Sequence, residues 1–298
     1  MSRYDRQSFL GADSDARLAR VTIGIVGLGG GGSHVIQQLA HIGIAGIVAV
    51  DPDIIEDTNL NRLIGGTLDD VTACRAKADI AARMVRNLVD RPRLRALRCK
   101  WQDATAALAE CDIIIGGVDS FAERAELEAF CRRLLIPYID MGMDVHAVGE
   151  HFSIGGQVVL SMPGCACLWC LGILTEARLE AEAQTYGAAG GKPQVVWPNG
   201  VLASLAVGLT MQLLTPWLKH PLGSAYLEYD GNRQQVATSN RLHAIGDTPC
   251  LHYRGHETGD PLFDIRNCQA AAVEPQSNEG DAAPASWWRR VLRWLGLL

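Results

Sequence analysis

Several stretches of this chain carry residue types at spacings that could do chemistry. The run Gly27-Leu-Gly-Gly-Gly-Gly32-Ser33 fits G-x-G-x-x-G, with Gly27, Gly29 and Gly32 at the motif positions. Glycines there let backbone N–H groups approach phosphate oxygens, and a helix opening at the same place adds the positive end of its dipole. Asp51 follows Gly32 by 19 residues, the place for an acid that accepts from a ribose hydroxyl. Those two features alone describe a nicotinamide-dinucleotide site, but the run Asp51-Pro-Asp53-Ile-Ile-Glu56-Asp-Thr-Asn59-Leu-Asn-Arg62 does not fit one. Lysine is scarce, at positions 77, 100, 192 and 219 against 27 basic residues in all, so Lys77 at the start of a helical pattern stands out. Asp119 and Ser120 follow an apolar run. Cys167-Leu-Trp-Cys170 has the spacing of a zinc knuckle, with Cys250-Leu-His252-Tyr253 far downstream. Taken singly, Arg62 or Lys77 is more often a solvated surface charge, and Asp119 a turn or helix-cap residue.

These residues need a scaffold, and hydrophobic periodicity supplies one. Val21 to Gly27, Ile44 to Val50, Cys111 to Gly116 and Tyr138 to Met141 read as buried strands. Between them, residues 33–43, 77–89 and 123–135 carry apolar side chains at helical spacing. Strands alternating with helices predict a doubly wound, Rossmann-like α/β fold with a mostly parallel sheet. From Val148 to Met162, glycines at 149, 155 and 156 punctuate short apolar pieces, expected as an antiparallel edge extension. Residues 181–198 lack periodicity and are expected to be a crossover loop. Val201 to Leu218 holds no charge, but Ser204, Thr210, Gln212 and Pro216 favour a buried helix over a membrane span.

Composition narrows the class. The 298 residues are 48% hydrophobic with a net charge of −6, which argues against a dedicated nucleic-acid binder. Nine cysteines in a chain rich in core material point to a reducing, cytoplasmic setting, and Met1 to Phe9 carry no signal-peptide pattern. Cys74, Cys99, Cys111 and Cys131 are expected in the core, and His34 and His41 as packing or surface residues. The organisation expected is one domain over residues 1–269, a disordered linker over 270–286 and a basic amphipathic helix over 287–298. In that helix Trp287, Val291, Trp294, Leu295 and Leu298 share one face and Arg289, Arg290 and Arg293 another. Such a segment can dock on a partner, lie on an anionic membrane, or fold back on its own domain.

The Asp51–Arg62 run resembles the D-x-D-x-V-x-x-x-N-L-x-R motif of the ThiF/HesA/MoeB family, ancestors of ubiquitin-activating enzymes. Tyr4-Asp-Arg6-Gln7 is similar to its N-terminal motif, and Arg75-Ala-Lys77-Ala78 to the K-A that opens its next helix. Gly117-Val-Asp119-Ser120-Phe-Ala-Glu-Arg124 is similar to T-D-N-x-x-x-R, and residues 163–170 to P-G-x-x-C-x-x-C. The matches run in family order over about residues 4–253.

The resemblance implies an enzyme that adenylates the C-terminal carboxylate of a ubiquitin-like or sulfur-carrier protein, consuming ATP with Mg²⁺ and releasing pyrophosphate. An anion must attack an anionic phosphate, so cations are needed at both. By resemblance, Arg62 and Lys77 contact phosphates, Asp51 holds the ribose, Asn59 helps position the nucleotide and Asp119 holds Mg²⁺, beside Ser120. Arg75 competes with Lys77 for that role. Arg6 would reach the site of the other subunit in a homodimer. A structural zinc would use Cys167, Cys170 and Cys250, its fourth ligand open among His252, His256 and Cys165. Residues 171–249 contain no cysteine, and Leu63 stands where the family has Gln, so the covalent transfer half is unsupported and a conjugating or sulfur-transfer partner is expected instead. Two rivals are a tRNA-modifying adenylating dehydratase of the same superfamily and a non-catalytic nucleotide-binding module.

Overall fold

Aliphatic and β-branched runs build a single sheet whose strands were sorted by burial on both faces. In the computed structural model, which describes residues 3–185, 193–218, 222–246, 248, 250–253 and 259, β1 is Thr22–Val26, β2 Gly46–Val50, β3 Arg93–Leu97 and β4 Ile113–Gly116. β5 (Tyr138–Val148), β6 (His151–Ser161), β7 (Ala225–Asp230) and β8 (Gln235–Thr238) complete it. The order is β3-β2-β1-β4-β5-β6-β7-β8. The first five are mutually parallel, with Ile23 opposite Ile47 on one side and Ile113 on the other. β5 through β8 run antiparallel, the expected extension. The chain leaves β1 toward β2 and returns later to β4 on the other side, which opens a crevice at their carboxyl ends.

Helices α1 (Ser14–Arg20), α2 (Gly30–Ile42), α3 (Leu68–Thr72), α4 (Lys77–Leu88) and α5 (Thr105–Leu108) precede α6 (Phe121–Arg133). After them come α7 (Glu176–Thr185), α8 (Val196–Leu214) and α9 (Asn240–Ile245). Two cores follow. Ile23 and Ile25 of β1 face α2, α4 and α8, whereas Val26 and Ile114 face the side of α5 and α6. The alternation of strand side chains makes this split.

Two expectations need correction, and one strand was not anticipated. The supposed loop over 181–198 is helical at both described ends, because α7 runs to Thr185 and α8 begins at Val196. Pro198 sits in the first turn of α8, where backbone N–H groups have no intrahelical partner to lose. Residues 151–161 form one continuous strand: Gly156 does not break β6 but lets α8 approach, since a Cβ there would lie 2.6 Å from Leu202. β3, with arginines at 93 and 95, lies at the sheet margin and lacks the apolar run that marks a central strand. Among the described residues no helix is long and apolar enough to cross a membrane. The linker and C-terminal helix expected over 270–298 lie outside the described residues.

A buried acid fixes the start of α4, and with it Lys77. The Asp70 carboxylate is 1% exposed and accepts from Arg75 Nε at 2.6 Å, Arg83 Nη1 at 2.7 Å and Arg83 Nη2 at 2.6 Å. Thr67 adds its N–H and hydroxyl in a reciprocal cap on α3. The Arg83 hydrogen bonds, with those of Thr67 and Arg75, overcome burial and hold the Asp70 carboxyl well below the usual carboxylate range. A folded value below the unfolded value of about 3.9 contributes stability that is present above that pH and lost as pH falls through the folded value. Asp70→Asn should therefore lower unfolding stability by about 2 kcal/mol at pH 7, the scale of charge-assisted bonds. Urea denaturation should show the gap narrowing below pH 4; equal midpoints at pH 7 would refute this account.

Candidate functional site

The crevice at the carboxyl ends of β1, β4 and β5 widens into a cavity of about 630 Å³. Its floor is backbone. Gly27 has φ +85°, and a Cβ on it would lie 2.6 Å from the Gly117 carbonyl oxygen. Gly32 does not line the cavity; its Cα packs on the Gly27 carbonyl where no side chain fits. Gly29, Gly30 and Gly31 open α2 on the cavity wall, and no side chain caps that helix.

Asp51 directly follows β2, buried at 4% exposure. Its carboxylate accepts from the N–H of Leu28 at 2.7 Å and of Asp53 at 2.9 Å. Burial raises its pKa above the usual carboxylate range, against the pull of Lys77 and those two N–H groups. Lys77 Nζ stands 2.8 Å from Asp53 and 3.9 Å from Asp51. Arg75, its sequence rival, is committed to Asp70 and does not line the cavity. Asn59 closes a reciprocal cap with Glu56. Arg62 donates to Thr58 O at 2.7 Å and Asn61 Oδ1 at 2.9 Å, so its loop positions the guanidinium at the wall.

The opposite wall follows β4. Asp119 is exposed to the cavity and accepts from Gln194 Nε2 at 3.2 Å. Ser120 lies outside the lining as the N-cap of α6 and accepts from the Glu123 N–H at 3.1 Å. Glu182 of α7 accepts from the N–H of Phe121 at 3.0 Å, the N–H of Ala122 at 3.1 Å and the Ser120 hydroxyl at 3.2 Å. Burial, then the neighbouring Glu126 and Asp119 carboxylates, push the Glu123 carboxyl upward, opposed by Lys100. Arg124 is buried, donates to Val118 O at 3.3 Å and stands 3.6 Å from Asp140 Oδ2. The guanidinium groups of Arg124 and Arg178 lie 5.6 and 5.5 Å from the Phe121 ring centroid.

The fold thus brings Gly27, Gly29, Asp51, Asn59, Arg62, Lys77 and Asp119 to one cavity. Arg6 is exposed on a 3-10 turn over Asp5–Leu10 and does not line it. Sequence reasoning assigned no role to Lys100, Trp101, Arg178, Gln194 or Asn199, all of which line the cavity. The scarcity of lysine was a usable signal for Lys100.

A second cluster lies at the knuckle. Cys167, Cys170, Cys250 and His252 present ligand atoms all within 4.8 Å of one another. Cys167 Sγ is 3.6 Å from Cys170 Sγ and 3.5 Å from His252 Nδ1, and Cys170 Sγ is 3.4 Å from that nitrogen. Tetrahedral zinc with sulfur at 2.3 Å and nitrogen near 2.05 Å separates its ligands by about 3.5–3.8 Å, so the set is compatible with zinc. His252 takes the fourth place; Cys165 is outside the cluster and His256 outside the described residues. Of the cysteines assigned to the core, Cys111 and Cys131 are buried, and burial pushes the Cys111 thiol up to about 12. Cys99 is half-buried, and Cys74 departs from expectation: it is exposed with φ +47° at the turn between α3 and α4.

The chain is 29% identical over 270 residues to the sulfur carrier protein ThiS adenylyltransferase of Escherichia coli (strain K12), covering 87% of this chain and 97% of that protein. It is 28% identical over 259 residues to the molybdopterin-synthase adenylyltransferase of the same strain, covering 84% and 96%. A crystal structure of E. coli MccB with ATP superposes with a TM-score of 0.64 at 21% identity, over 81% of this chain and 72% of that one. The ThiF family model matches residues 3–249, and the chain belongs to the ThiF family.

Proposed function

We propose that this protein binds ATP with Mg²⁺ and adenylates the C-terminal carboxylate of a ubiquitin-like or sulfur-carrier protein. The observation that carries the reading is one cavity holding Asp51, Asn59, Arg62, Lys77 and Asp119 around a glycine floor in a ThiF-family chain. Asp51 holds the ribose. Lys77 and Arg62 meet phosphate oxygens, Lys77 exchanging its 2.8 Å contact with Asp53 for a stronger anion. A carboxylate oxygen of the substrate attacks the α-phosphorus, a phosphorus–oxygen bond forms, and the bond to the bridging oxygen breaks as pyrophosphate leaves with its electron pair. Bound at Asp119, Mg²⁺ would neutralise charge on the leaving group. The cations must outweigh the acids here, because both reactants are anionic.

Transfer from the acyl-adenylate goes to an external thiol or amine on a conjugating or sulfur-transfer partner, since residues 171–249 offer no cysteine. The working unit is a homodimer in which Arg6 serves the opposite cavity. Zinc held by Cys167, Cys170, Cys250 and His252 is structural. None of the eight described cysteines forms a disulfide, which suits a cytoplasmic setting.

Three measurements test this reading. With its carboxylate substrate the protein should catalyse ATP–pyrophosphate exchange, and Asp119→Ala should reduce it roughly a hundredfold or more; exchange that persists would mean the metal is misplaced. Mixing Arg6→Ala with Lys77→Ala should restore part of the activity through dimers with one intact site. No recovery in a preparation shown to exchange subunits would count against the dimer. Elemental analysis of protein purified without chelator should find one zinc per chain, and Cys167→Ser should lower thermal stability. A metal-free preparation would leave these residues as packing groups.

A further inference from the structure

One face of α6 carries charge where apolar side chains would be expected. Arg124, Glu128 and Arg132 recur every fourth residue, about 40° apart around the helix, and are 7%, 0% and 1% exposed. Burying three ionisable groups in a row is costly unless each is paired and hydrogen-bonded. The two ends of this stripe meet different sites.

At the amino end, Arg124 lines the cavity beside Phe121. Toward the carboxyl end, Glu128 accepts from the Ser161 hydroxyl and, at 2.9 Å, from the N–H of Leu168, which lies between Cys167 and Cys170. The other carboxylate oxygen accepts from the Tyr253 hydroxyl at 3.3 Å, and Tyr253 directly follows His252. Arg132 completes the clasp: it donates to Cys165 O at 3.0 Å, Ala166 O at 2.9 Å and Ser161 Oγ at 3.0 Å. Its guanidinium lies 5.6 Å from the Tyr253 ring centroid. A single carboxylate therefore bonds both chain segments that supply the Cys/His cluster. The cluster's ligands from residues 250–252 are far in sequence from those at 167–170, and metal is what would tie the two segments together.

We propose that Glu128 is a positioning residue for the nucleotide cavity, transmitting metal occupancy at Cys167, Cys170, Cys250 and His252 through α6 to Arg124, Phe121 and the Asp119 turn. Without metal, Tyr253 is no longer held against Glu128. The buried carboxylate loses a donor, and α6 resettles at its cavity end. The inference rests on the adenylation reading, because it requires nucleotide in that cavity.

The test is calorimetric titration of the full chain with a non-hydrolysable ATP analogue and Mg²⁺, with metal content measured in each sample. Zinc-loaded wild type is compared with protein stripped by chelator and dialysed, and with zinc-loaded and stripped Tyr253→Phe and Glu128→Gln. Stripping wild type should weaken nucleotide binding roughly 3- to 30-fold. Zinc-loaded Tyr253→Phe should show part of that loss, although it removes no ligand, and stripping it should add little more. Glu128→Gln should behave alike. A merely structural role predicts independent losses that multiply, to within a factor of about two. Multiplying losses, or unchanged affinity in both zinc-loaded variants, would overturn the coupling alone. No nucleotide binding by zinc-loaded wild type would overturn the adenylation reading and the coupling with it.

Discussion

The close approach of Gly27 to the Gly117 carbonyl is the contact on which the site depends. With only 2.6 Å available to a Cβ, the ends of β1 and β4 meet as bare backbone. Gly27 bonds across to Val50 at 2.9 Å and Gly117 to Val26 at 2.9 Å, so the sheet keeps its ladder up to the point where the chains diverge. Divergence there turns Leu28 toward Asp51, whose carboxylate then accepts the Leu28 N–H. Any side chain at position 27 would separate the strands and remove the floor of the cavity.

Around that floor, neighbouring charges are sorted by different acids. Arg75 and Lys77 are two residues apart, yet Asp70 takes the first and Asp51 with Asp53 faces the second. The difference is burial: Asp70 is enclosed and fully bonded, which makes its pairs fixed, whereas Asp53 is 62% exposed and yields a pair that solvent weakens. Lys77 is thereby placed without being locked.

Much of this was legible in the sequence because it is local. The glycine turn, Asp51 at its fixed distance and Lys77 at a helix start each depend on a few consecutive residues. The alternation of apolar runs was enough for the parallel half of the sheet. What escaped depends on distant contacts. Lys100 and Trp101 reach the cavity because β3 pairs beyond β2, and nothing in Arg93–Leu97 announces that pairing. Arg178 and Glu182 arrive on α7, for which the sequence offers little periodicity and whose last turns fall in the stretch expected to be a loop. His252 is one of three candidates in the sequence, and only the fold, by setting residues 250–252 beside 167–170, selects it.

Glu182 has a consequence for polarity. Two helices point their amino termini at the cavity, α2 and α6, and each could attract a phosphate. The first turn of α6 is already satisfied by a carboxylate from α7, which presents negative charge in place of bare N–H groups. The first turn of α2 is capped by no side chain, and what packs over Gly30 is the uncharged amide of Asn199. The two helix ends therefore differ in what they offer: an anionic group would find uncapped N–H groups at α2 and the Glu182 carboxylate at α6.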